Sequence, residues 1–157
     1  MPQFLFDVST LDKAKPVLTA ADIERINPHR HEFRLIESVL HIDTKAQLAV
    51  GYWPARDNQF WVRGHIPGRP LFPGVLQMEA AAQLCSVLAF QCGITDDKNF
   101  FGFVGLEDVK FRRQIVPGDD IYFIAKVLEA RRVVSFETQG VVNGTLAVCG
   151  KVLGSKL

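Results

Sequence analysis

Apolar and polar positions along the 157-residue chain divide it into a short N-terminal segment, two strands, one long helix and four further strands. Residues 1–27 begin apolar, turn mixed, and end in a short helical stretch for which Thr19 is a candidate N-cap, with Asp22 three residues on and Pro28 limiting the far end. Phe33 to His41 and Gln47 to Trp53 suit two strands separated by Asp43-Thr44-Lys45. A loop rich in turn formers and aromatics, DNQFWVRGHIPGRP, leads to a helix expected to start at Pro73 and stop at Gly93. Its apolar residues cover every face, so other elements must wrap it. At about 1.5 Å per residue it runs roughly 28 Å, enough to cross a small domain. Residues 100–113, 120–130, 132–142 and 145–153 are rich in Val, Ile and Phe and read as strands. Pro117-Gly118-Asp119 marks a turn, and Asn143-Gly144 is a two-residue hairpin signal. The order predicts an α+β fold in which an antiparallel sheet wraps a single helix.

Composition narrows the function classes. A chain that is 48% hydrophobic and 22% charged suits one folded domain, and a net charge of +1 gives no global basic field for nucleic acid. Cys85, Cys92 and Cys149 are odd in number and lack CxxC spacing, which argues against a disulfide scaffold or zinc site and fits a reducing cytoplasm. The N-terminus lacks the basic region of a secretory signal, and no run approaches the ~18 apolar residues of a membrane span. Serine-nucleophile, P-loop and dinucleotide motifs are absent, and no metal or cofactor is expected.

Candidate chemistry concentrates in His65–Gln83, HIPGRPLFPGVLQMEAAAQ. A loop histidine, His65, precedes a greasy helix that carries one acid, Glu79, and proton transfer in a dry pocket needs such a pair. Gln83 lies four residues beyond Glu79, on the same face, and is placed to orient it. Glu79 is equally readable as a structural carboxylate paired with an arginine such as Arg69, and His65 as a surface loop residue. The helix start at Gly74 presents free N–H groups, able to polarise a thioester carbonyl or simply to be solvated. His29 and His31 are weak metal candidates with no companion cluster. Lys110, Arg112 and Arg113, with Arg131 and Arg132, are either a solvated face or docking points for an acidic carrier or phosphate. Phe60, Trp61, Phe72, Phe100 and Phe101 belong to the core or line an acyl channel.

The same segment strongly resembles the GHFPGxPxMPGVLxxEAxAQ signature of the FabZ-type (3R)-hydroxyacyl-[acyl carrier protein] dehydratases. Asp57-Asn58-Gln59-Phe60-Trp61 resembles the family's aromatic approach to the histidine. Val109-Lys110-Phe111-Arg112-Arg113 and Val116-Pro117-Gly118-Asp119 resemble its following strand and turn. The likeness spans about residues 28–155, and the division it suggests is an extension, 1–27, followed by a dehydratase domain, 28–157. It implies a hotdog fold and dehydration of carrier-bound 3-hydroxyacyl thioesters in fatty-acid or related acyl-chain synthesis. By the resemblance, His65 would take the C2 proton, Glu79 would protonate the departing hydroxyl, Gly74 would hold the thioester oxygen and Gln83 would position Glu79. The resemblance further implies a cytoplasmic homodimer or trimer of dimers whose sites draw the histidine and glutamate from different subunits. This chain departs from the family's PHRYPFLLVD opening at His31, Glu32 and Arg34. It also has Ile66 in the histidine loop, and Phe100 or Phe101 where a gating tyrosine is often found. The competing readings are a hotdog acyl-thioesterase and a non-catalytic acyl-binding subunit.

Overall fold

The computed structural model describes residues 3–157. Its elements are α1 (Ala20–Ile26), β1 (Ser38–Asp43), β2 (Leu48–Pro54), α2 (Phe60–Gly64), α3 (Gly74–Gln91), β3 (Phe101–Phe111), β4 (Asp120–Ala130), β5 (Val133–Val142) and β6 (Thr145–Lys156), with 3-10 turns at Val8–Thr10 and His31–Phe33. All six strands form one sheet in the order β1-β2-β4-β5-β6-β3, antiparallel throughout. The sheet curls around α3, where Leu84, Cys85, Val87 and Leu88 meet Phe123, Phe136, Ile121 and Val148 in the main core. The sequence order anticipates this sheet wrapped around one helix, and the family resemblance implies it as a hotdog fold.

Alternation along β4 separates the two faces. Ile121, Phe123 and Ala125 point to the helix, whereas Tyr122 and Ile124 point away. The outer face therefore carries an apolar patch of Leu48, Val50, Ile124 and Val141, and Leu5, Phe6, Val8 and Leu11 lie over it as a strap. Gln139 fastens the strap by accepting from the Leu5 N–H and donating to the Gln3 carbonyl. Thr19 and Asp22 form a reciprocal capping box at α1, which inserts Ile23 into the main core.

Three local expectations differ from the structure. Residues 33–37 are not strand: the Leu35 N–H is taken by the Gln83 side chain, and Leu35 and Ile36 are both fully buried, so neither bonding nor burial follows a strand ladder. The long helix begins one residue late, because Pro73 is its N-cap, with a non-helical ψ of 132°, and Gly74 its first helical residue. The loop before it contains α2, which the turn-former composition concealed. The Asn143-Gly144 hairpin has the expected two-residue loop, with both residues at positive φ between the paired Val142 and Thr145.

Candidate active site

Trp61 seats the histidine. Its ring is buried against Phe72, with ring centroids 5.2 Å apart, and its indole N–H donates to Gln59, whose amide in turn donates to the Pro54 carbonyl. The His65 N–H closes α2 by donating to the Trp61 carbonyl. His65 Nδ1 lies 2.7 Å from the Leu71 carbonyl oxygen. A carbonyl only accepts, so in the neutral ring the proton sits on Nδ1 and the lone pair on Nε2. A base with a fixed tautomer is thereby presented at the surface of the chain.

The start of α3 lies beside it. Leu76 and Gln77 return their N–H groups to the Pro73 carbonyl, and those of Gly74 and Val75 have no partner among the described residues. Phe111 lies across this point so closely that a Cβ on Gly74 would sit 2.8 Å from its ring. His65, Gly74, Phe72, Phe111, Arg112 and Arg113 line one cavity.

Glu79 opens elsewhere. With Gln83, His29, Phe100, Phe101 and Phe103 it lines a second cavity of about 120 Å³, to which His65 does not contribute. The Glu79 side chain is 27% exposed, so in the single chain it is less desolvated than its greasy helix suggested. Its Oε1 accepts from Gln83 Nε2 at 3.0 Å. Gln83 is itself fixed by the Leu35 N–H, which it accepts, and by the Phe33 carbonyl, to which it donates. Among the described residues the ionisable side chain beside Glu79 is that of His29, 3.5 Å away, and not that of Arg69. Burial pushes the His29 pKa below its ordinary value; Glu79 opposes this by pulling it up, and the charge of Arg30 adds a smaller push down.

The remaining candidates separate. Phe100 and Phe101 reach the Glu79 cavity and Phe72 the His65 cavity; Phe60 and Trp61 line neither, and Trp61 is core. Arg112 is exposed and lines the His65 cavity, Lys110 is exposed on β3 but does not line it, and Arg113 is partly committed, donating to the Val142 carbonyl and facing Asp119 at 3.5 Å. Arg131 and Arg132 sit apart, at the β4–β5 hairpin beside a different depression, and Arg131 pairs with Glu129. His31 is exposed and joins no metal-binding cluster among the described residues. His29 at Glu79 is the neighbour that sequence reasoning missed. The signal was the Pro28-His29-Arg30 triplet, which keeps the family's opening where the next residues depart from it.

Comparison with known proteins bears on this geometry. The model of the FabA-like domain matches residues 27–151. The 3-hydroxyacyl-[acyl-carrier-protein] dehydratase FabZ of Teredinibacter turnerae is 34% identical over 140 residues, covering 87% of this chain and 95% of the relative. FabZ of Neisseria meningitidis is 33% identical over 142 residues, covering 88% and 94%. Among solved structures, the dehydratase heterocomplex ApeI:P of Xenorhabdus doucetiae superposes with a TM-score of 0.71 at 17% identity, covering 86% of this chain and 90% of that one. A mutant thioesterase of Pseudomonas aeruginosa follows the same fold with a TM-score of 0.59 at 14% identity, covering 76% and 81%. No helix among the described residues is long and apolar enough to cross a membrane. With most of its length matched by both the family model and these relatives, the chain belongs to the FabZ-type 3-hydroxyacyl-[acyl carrier protein] dehydratases of the FabA-like family.

Proposed function

We propose that this chain eliminates water from 3-hydroxyacyl thioesters carried on acyl carrier protein, giving trans-2-enoyl thioesters for acyl-chain synthesis in the cytoplasm. His65 Nε2 takes the proton from C2, the C2–C3 double bond forms, and the C3 hydroxyl leaves as water with a proton from Glu79. The Gly74 N–H at the start of α3 stabilises the negative charge that gathers on the thioester oxygen. The observation that carries this reading is the Leu71 carbonyl on His65 Nδ1, which leaves Nε2 free to act as a base.

The proposed working unit is a homodimer, itself able to build a trimer of dimers. His65 and Glu79 open into different cavities of one chain, so a second copy is the natural source of the missing partner in each. The free edge of β3 supports this assembly. Among the described residues that strand is paired only with β6, and it exposes Phe103, Val104 and Leu106, an apolar edge that folded proteins cover. Phe100 and Phe101 would bound the acyl chain, and Arg112, at the His65 cavity, with exposed Lys110 on β3, would meet the acidic carrier. Arg131 and Arg132 are a second candidate carrier contact, remote from His65.

The test is to incubate the protein with a 3-hydroxyacyl-carrier substrate and follow enoyl product and free thiol together. Enoyl formation without thiol is expected. Thiol release would replace dehydration with thioester hydrolysis, and binding without either product would leave an acyl-binding subunit.

A further inference from the structure

Glu79 is approached from two sides through the same oxygen. Gln83 Nε2 donates to Oε1 at 3.0 Å, and His29 Nε2 lies 3.5 Å from that atom. The second distance is longer than a closed hydrogen bond. Contacts of catalytic groups are often loose before substrate is bound.

His29 is held there by more than its own loop. Asn27 donates to the Gln83 backbone carbonyl, Arg30 donates to the carbonyls of Glu24, Asn27 and His29, and Gln83 bonds both Phe33 and Leu35. The segment from 27 to 35 is thus stapled to α3 on both sides of His29. The other ring nitrogen, Nδ1, is buried and has no hydrogen-bond partner among the described residues. A buried N–H without an acceptor costs more than an idle lone pair, so the single proton of the neutral ring belongs on Nε2, facing Glu79. Burial beside Arg30 also favours the neutral ring.

We propose that His29 is a positioning residue for the dehydration. Its Nε2–H and the Gln83 amide hold Glu79 Oε1 from two directions, so that Oε2 carries the transferable proton into the cavity. This rests on the reading of Glu79 as the general acid. Within the Pro28-His29-Arg30 triplet, proline and arginine then fix the backbone, and histidine fixes the acid.

Three variants test it, each checked for a native melting transition before assay. His29→Leu fills the space without a donor, whereas His29→Gln offers an amide N–H at similar reach. His29→Leu is expected to lower kcat roughly 10- to 100-fold with KM changed less than about threefold, a loss confined to the transition state. His29→Gln should recover most of that kcat. Wild-type turnover in His29→Leu, or a His29→Gln variant as slow as His29→Leu, would overturn the positioning role. Glu79→Gln is the control for the underlying reading. If it is inactive while His29→Leu is fully active, only the positioning role falls; if it turns over well, the acid assignment falls, and the role of His29 with it.

Discussion

Mixing two variants, each expected to be inactive alone, gives the sharpest test of how the site is assembled. His65→Ala removes the proposed base and keeps Glu79; Glu79→Gln removes the proposed acid and keeps His65. Because these residues open into different cavities of the chain, each site of the proposed dimer takes one from each copy. Random exchange at equal concentrations makes about half of all dimers mixed. In a mixed dimer one site receives both substitutions, and the other receives an intact His65 from one chain and an intact Glu79 from its partner. One half of the sites in one half of the dimers predicts recovery to about one quarter of wild-type kcat at saturating substrate. The assay is enoyl formation after co-refolding, with each variant refolded alone as the zero and tagged chains pulled down to count mixed dimers. No recovery despite abundant mixed dimers would refute the shared site and return both residues to one chain.

Two other outcomes are expected. Gly74→Ala places a methyl 2.8 Å from the Phe111 ring, at the point where the free N–H groups meet the cavity. We expect a tenfold or larger loss of turnover, of the order seen when an oxyanion donor is misplaced, with stability changed by less than about 1 kcal/mol. The accompanying variant Phe111→Leu should return part of the rate, and a Gly74→Ala enzyme of normal activity would remove that N–H from the mechanism. The second outcome concerns acid. His29 has a folded-state pKa below the ordinary 6.5 because of burial and Arg30, with Glu79 opposing. The unfolded chain therefore binds more protons below that pH, and stability falls as pH drops through 6.5 toward the folded value. Urea midpoints should decline more between pH 7.5 and 5 in wild type than in His29→Gln; equal declines would show that His29 does not contribute.

The sequence made the centre of the molecule legible and its margins less so. A helix apolar on every face, followed by four strand-like runs, leaves few arrangements other than a sheet wrapped around it, and Asn143-Gly144 fixed one hairpin outright. His65, Gly74, Glu79 and Gln83 stood out because a base, a helix start and an acid fell within one short stretch. Contacts between distant segments were hidden. The Gln83 amide draws residues 33–35 out of the sheet, an event 48 residues away in sequence that no local pattern announces. His29 looked like half of a weak metal pair because its nearest histidine by sequence was His31, whereas its nearest acid in space is Glu79. The separation of His65 from Glu79 was implied by family resemblance alone. Fourteen residues of spacing say nothing about which cavity each will face.

The strap over the outer sheet has a practical consequence. A protein cut to the family-matched region, starting at residue 27, would lose Ile23 from the core and Leu5, Phe6, Val8 and Leu11 from the outer patch. The bare convex face would then rival the β3 edge as a surface for sticking. Precipitation or ill-defined oligomers of such a shortened chain would report an uncovered back and not a faulty catalytic fold.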